Sequence, residues 1–148
     1  MEQNEEKKDV IISIRGLQGF TDTDEDDIEL VTEGRYSFRD GVADFEYMES
    51  ELTGLEGTRT EFTAGPDGVT MTRDGKVSMQ LVFREGQKHY CIYDTPYGAL
   101  TMSIDTRSIL SKLGSAGGRL EIKYLIDMEN AMISRNSFSI NIREAQKQ

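Results

Sequence analysis

Residues 80–100 read QLVFREGQKHYCIYDTPYGAL, and this stretch decides the fold class. β-prone residues flank Glu85-Gly86 as in a hairpin, and Thr95-Pro96-Tyr97-Gly98 fits a turn in which proline presets φ at the second position. The same grammar extends in both directions. Upstream, Val10, Ile12 and Ile14 alternate with Ile11, Ser13 and Arg15. Ile28 to Phe38 resumes period two, and Asp40-Gly41 joins it to a partner strand over Val42 to Ser50. Thr58 to Thr63 and Val69 to Arg73 flank a Gly65-Pro66-Asp67-Gly68 turn. Downstream, Ala99 to Thr106 is a strand, and Arg107 to Leu113 reads as its continuation rather than a helical turn. Beyond Ser115-Ala116-Gly117-Gly118, Leu120, Ile122, Tyr124, Ile126 and Met128 give the cleanest alternation in the chain. Glu129 to Arg135 reads as a connection, and Phe138, Ile140 and Ile142 as a last strand.

About eight to ten short strands, no long helix and no βαβ rhythm predict an all-β fold, an antiparallel up-and-down β-barrel. A barrel is preferred to a sandwich because closure removes exposed edges. The 148 residues make one domain, with 1–8 and 144–148 expected as frayed tails. The 27 acidic and 17 basic residues give a formal charge of -10, a field that repels phosphate backbones and anionic lipid, so neither nucleic acid nor membrane is an expected partner. The single cysteine forms no internal disulfide, and Val10 to Ile14 is too short an apolar run for a leader or a span, so the expected location is the cytoplasm. One histidine and one cysteine make no zinc site. No cofactor is expected.

Three spaced segments carry a family resemblance. Tyr47-Met48-Glu49-Ser50-Glu51-Leu52-Thr53-Gly54 with Glu56-Gly57-Thr58-Arg59-Thr60, then Tyr93-Asp94-Thr95-Pro96-Tyr97-Gly98, then Arg135-Asn136-Ser137 resemble the YwiB-like proteins, small bacterial proteins of unknown function, over about Val10 to Arg143. The resemblance implies a calycin-like, lipocalin-type barrel and no particular activity. Arg73, Gln80 and His89 fall at polar positions of its pattern. The acidic stretch Thr21 to Asp27 is not part of it.

If Asp74-Gly75 and Glu85-Gly86 are both two-residue turns, Arg73 lies opposite Lys76, Met71 opposite Ser78 and Val69 opposite Gln80. Arg73, Gln80, His89 and Tyr93 then share one face, with Val77, Met79, Leu81, Phe83, Tyr90 and Ile92 on the other. Two readings stand. In one, the polar row is ordinary surface over an apolar core. In the other, it lines a ligand pocket together with Thr58, Thr60, Tyr97 and Asn136, and Arg73 selects a carboxylate or phosphate. The corresponding functions are a non-catalytic small-molecule binder and an interaction module whose outer sheet face makes a homodimer or contacts another protein, with the barrel itself solidly packed. A catalytic His89–Cys91 pair is disfavoured, because alternate side chains on a strand diverge and no third group orients the imidazole. Asp22, Asp24, Asp26 and Glu33 have the spacing of calcium ligands, but Asp27 stands where the sharp turn needs glycine and strands flank the loop, so no metal is expected. Gly54 and Gly57 shape a connection rather than a phosphate cradle.

Overall fold

Asp40 and Gly41 both take positive φ, 54° and 82°, the type I′ geometry whose twist matches that of the flanking strands. The computed structural model describes residues 7–19, 25–50, 56–75, 78–95, 98–128 and 132–145, and they form ten strands. They are β1 (Lys8–Gly19), β2 (Glu25–Arg39), β3 (Val42–Met48), β4 (Arg59–Gly65), β5 (Gly68–Asp74), β6 (Met79–Phe83), β7 (Lys88–Thr95), β8 (Gly98–Gly114), β9 (Gly117–Met128) and β10 (Met132–Glu144). Among the described residues there is no helix, so none is long and apolar enough to cross a membrane.

Every pairing is antiparallel, in the order β6-β5-β4-β3-β2-β1-β10-β9-β8-β7. Successive strands are therefore neighbours, and β1 closes on β10 from Val10↔Glu144 to Gly19↔Arg135. The exception is β6 beside β7. They lie side by side and share a turn in which the Gln87 N–H donates to the Arg84 carbonyl at 2.9 Å, yet they form no ladder. The product is an up-and-down β-barrel closed except at this seam, in keeping with the calycin-type architecture that the resemblance implies. Alternation brings Gly19, Glu25, Met48, Arg59, Asp74, Met79, Thr95, Gly98, Met128 and Met132 to one end, called the upper end below.

The interior is filled by rings. Phe45 stacks on Phe62 at 5.0 Å, Phe62 meets Phe138 edge-on at 5.7 Å, and Phe83 contacts Tyr124 at 4.9 Å and Phe138 at 5.8 Å. Burying each is worth about 1.5–3 kcal/mol. Val10, Ile12, Ile104, Leu120, Ile122 and Ile140, all fully buried, pack around them.

One register differs from expectation, with large effect. The Asp74-Gly75 connection is not a two-residue turn: Arg73 pairs with Met79, Met71 with Leu81 and Val69 with Phe83. Gly75, at φ 153°, is pressed against the start of β4, where a Cβ would meet Thr58 Cα at 2.6 Å, and the chain runs on before it returns. The offset is three residues, an odd number, so it exchanges the faces of β6 relative to β5. Arg73 turns inward with Met79, Leu81 and Phe83, whereas Gln80 turns outward beside Thr72 and is exposed. Tyr90 and Ile92, expected among the apolar inward residues, point outward at 73% and 60% exposure, because His89 and Cys91 share the inner face with Ile104 and Met102. Val77 lies outside the described residues.

Other boundaries moved less. Arg107 is the extra residue of a bulge between Thr106 and Ser108, and β8 continues through it. Met132 to Arg135, read as connection, belong to β10. The expected tails are ordered at Lys7, whose ammonium lies 3.0 Å from Glu46 and 3.4 Å from Asp44, and at Ala145, whose N–H donates to the Asp9 carbonyl at 3.1 Å.

Candidate functional site

β3 sends Ala43, Phe45 and Tyr47 into the core, and Glu49 continues the same alternation one step past the strand's end. A carboxylate is thus carried into a position the pattern reserves for an apolar residue. Its side chain is 1% exposed, and its backbone N–H donates to the Thr58 carbonyl at 2.8 Å, which pins it to the start of β4. A charge so placed needs a partner and hydrogen bonds. The Thr60 hydroxyl donates to Glu49 Oε2 at 2.5 Å, Arg73 Nη2 stands 3.6 Å from the same oxygen, and Arg73 Nε donates to Thr60 Oγ1 at 3.3 Å. Thr58 and Thr60 are fully buried. Arg73 remains 24% exposed along its side chain.

Tyr47 completes the group. Burial pushes its phenol well above the ordinary range, the Glu49 carboxylate adds to that shift and Arg73 opposes it, so the hydroxyl sits between both charges. On the facing wall, Tyr124 is raised to about 12 by burial against a smaller opposing effect of Arg73. Tyr124 pairs with Asn136 on one side and with Thr106 on the other. Asn136 donates to the Ser134 hydroxyl at 3.0 Å and to its carbonyl at 3.2 Å. Two buried polar atoms have no partner among the described residues: Thr106 Oγ1, on a fully buried residue, and His89 Nδ1. His89 faces Ile104, so Thr106 lies two residues along the same inner face.

Of the eight residues expected to bind a ligand, Arg73, Thr58 and Thr60 form one cluster, and Asn136 reaches the facing wall through Tyr124. His89 is inside but further from the upper end. Gln80 is outside and leaves the site. Tyr93 is on β7, with only its backbone described, and Tyr97 lies outside the described residues, as do Asp22, Asp24, Gly54 and Lys76. Glu49, Tyr47 and Tyr124 were missed. The signal for Glu49 was its place at the end of the Ala43, Phe45, Tyr47 alternation.

The cluster can position and orient an anionic group. Burial raises the Cys91 thiol, the opposite of what a nucleophile needs, and no group of three metal-ligating side chains occurs among the described residues. A groove of about 540 Å³ on the outer face of β2, β1, β10 and β9 is a poorer candidate. Its Arg15–Glu29 pair, at 3.8 Å, is exposed and its Arg119–Glu121 contact is half-exposed, and such surface pairs discriminate little.

The upper end gathers the borders of all three segments that carried the resemblance: Glu49, Thr58 and Thr60 from the first, Thr95 and Gly98 from the second, Asn136 from the third. Residues 12–140 match the model described as a domain of unknown function, DUF1934. The chain belongs to the DUF1934 family. It is similar in structure to the ywiB protein from Bacillus subtilis, with a TM-score of 0.78 at 21% identity, over 95% of this chain and 94% of that one. This bears out the YwiB-like resemblance and, at that identity, shows the fold alone. No curated protein matches.

Proposed function

We propose that this protein is a non-catalytic binder that holds a small molecule bearing a carboxylate or phosphate at the upper end of the barrel. The observation that carries the reading is the posture of Arg73. Glu49, Thr60 and Tyr47 hold its guanidinium from one side, and about a quarter of the side chain still faces solvent. A planar fork fixed in this way loses little entropy when it meets an anion. Glu49 sets the orientation and offsets the charge, so the site favours a monoanion or a polar head with an apolar body able to rest on Tyr124 and Phe138. The unpartnered Thr106 hydroxyl supports a further hydrogen bond deeper in the barrel. With a single cysteine and a strongly acidic chain, we assign this role to the cytoplasm, away from nucleic acid and membrane.

The test is native mass spectrometry of protein purified from its own host, beside the Arg73→Lys variant, which keeps a charge for Glu49 but loses the fork. A ligand retained by the parent and by Gln80→Ala, and lost from Arg73→Lys, supports the reading. Retention by Arg73→Lys, or its loss on outer-face substitution of a folded protein, overturns the assignment.

A further inference from the structure

β8 outruns its neighbour. β7 begins at Lys88, opposite Asp105, whereas β8 stays paired with β9 as far as Gly114. Just past Asp105, Thr106 turns its backbone to the β6–β7 connection: its N–H donates to the Gln87 carbonyl at 3.0 Å, and its carbonyl accepts from the Gly86 N–H at 2.9 Å. Hydrogen-bonding direction alternates along an antiparallel strand. Thr106 is the partner of Tyr124, so the partners of Ile122, Leu120 and Gly118 also direct N–H and C=O away from β9; these are Ile109, Ser111 and Leu113. Among the described residues, no strand pairs with β8 on that side. The bulge at Arg107 sets the same three side chains on the inner face. They border a cavity of about 430 Å³ at the lower end of the barrel, opposite the Arg73 cluster, with Phe38 beside them. Asp67, on the β4–β5 turn, and Glu85, on the β6–β7 turn, stand exposed at its rim. No lining residue is basic, and neither carboxylate has an ion-pair partner among the described residues.

We propose that the lower end of the barrel docks an extended peptide segment of another protein, added to the free edge of β8, antiparallel to it and in line with β7. Main-chain hydrogen bonds to Ile109, Ser111 and Leu113 hold the added strand, and its alternate side chains enter the cavity. The lining selects the sequence. Apolar residues rest on Phe38, Ile109 and Leu113, and a basic residue at the C-terminal end of the segment meets Glu85 and Asp67. Charge complementarity sets this occupant apart from a second copy: edge-to-edge pairing would bring the same unpaired carboxylates to one contact, on chains that each carry a net charge of -10. The contact is short, so the complex is a transient one. It leaves the upper end free and is independent of the ligand reading.

Fluorescence anisotropy with a labelled probe, fluorescein-Gly-Thr-Leu-Thr-Leu-Thr-Arg-amide, tests this. The probe should bind saturably. N-methylation of both leucine nitrogens, which face β8, should weaken binding by about tenfold or more, whereas N-methylation of the second and third threonine nitrogens, which face away, should leave it within about threefold. Ser111→Trp, which fills the cavity, should abolish binding. Glu85→Lys should weaken it several-fold, and a probe with glutamate in place of arginine should recover the loss on that variant. Ser111 and Glu85 are exposed, so circular dichroism should show unchanged folds, and the N-methylated probes read the contact on the parent itself. No saturable binding at millimolar protein, equal effects of the two N-methylated pairs, or a charge exchange without rescue would each overturn the proposal. So would self-association of the parent that the probe displaces, which would give the edge to a second copy.

Discussion

Replacing Arg73 by methionine tests whether the Glu49 pair is a matched unit. The substitution keeps the apolar stem between Met71 and Met79 but takes from Glu49, 1% exposed, the cation that stands 3.6 Å from its carboxylate, with the Thr60 hydroxyl and Tyr47 still among its polar neighbours. Removing one partner of a fully buried pair costs about 3–5 kcal/mol; Arg73 is partly exposed and water can reach its place, so about 2–4 kcal/mol is expected here. For a domain of this size that lowers Tm by roughly 5–15 °C, and the variant still folds if the parent has a stability of about 5–15 kcal/mol. Adding Glu49→Leu removes the stranded carboxylate and should recover more than half of the loss, because an apolar pair replaces a buried ion pair at little cost. Urea denaturation of the parent, both single variants and the double variant reads the coupling directly. A loss under about 1 kcal/mol for Arg73→Met, or a double variant as unstable as the sum of the singles, would refute the account of Glu49 as a charge held by Arg73.

Gly75→Ala should cost about 2 kcal/mol or more, since it strains a positive φ and drives Cβ into Thr58; a denaturation midpoint equal to the parent's would mean that the 74–79 connection is wrongly placed. Burial raises the phenols of Tyr36 and Tyr124 to about 12 and that of Tyr47 further, so the folded state binds these protons more tightly and stability falls as pH rises above the ordinary 10. Phenolate absorbance should therefore climb in a step coincident with loss of the β-sheet dichroism, and ionisation of these three in an intact barrel would contradict their burial. Glu61 is raised above 4.5, chiefly by a hydrogen bond with Asp44, then by burial and the Asp44 charge, against the pull of Lys7. Stability should accordingly fall as pH climbs through that raised value, and Glu61→Gln should remove the slope and be more stable at neutral pH; a less stable variant would show that its contact with Lys7 dominates.

Most of the fold was legible because it rests on period-two patterning and turn chemistry, both local. Asp40-Gly41 and the Leu120 to Met128 alternation lead directly to strands that exist. The candidate site was legible only in part, because facing depends on parity. Two connections were misjudged. The one after Asp74 grouped Gln80 with Arg73, although only Arg73 faces inward. The Glu85-Gly86 turn, whose strands form no ladder, grouped Tyr90 and Ile92 with Leu81 and Phe83, although only the latter pair faces the core. Whether the row of Arg73 and His89 lines the interior or the surface was left open. Local chemistry at Asp74-Gly75 favours a tight turn; contact with Thr58, distant in sequence before β5, prevents it. Glu49 escaped for a different reason: a charge in a buried register reads as a strand's end until a guanidinium from another strand is seen to meet it.

The unpaired seam also divides the chain. β1 to β6 form one ladder of consecutive hairpins and β7 to β10 another, and what unites them is the β1–β10 pairing, which joins Val10 to Glu144. The barrel is thus zipped where the sequence is most remote and left open at the turn where its halves are joined. A circular permutant that opens at Glu85-Gly86 and links the start of β1 to the end of β10, already held by the Asp9–Ala145 hydrogen bond, would break no ladder and would make the β1–β10 pairing local. Its contact order falls, so it should refold faster than the parent by stopped-flow, and an equal or slower rate would show that closure of the long β1–β10 loop is not what limits folding.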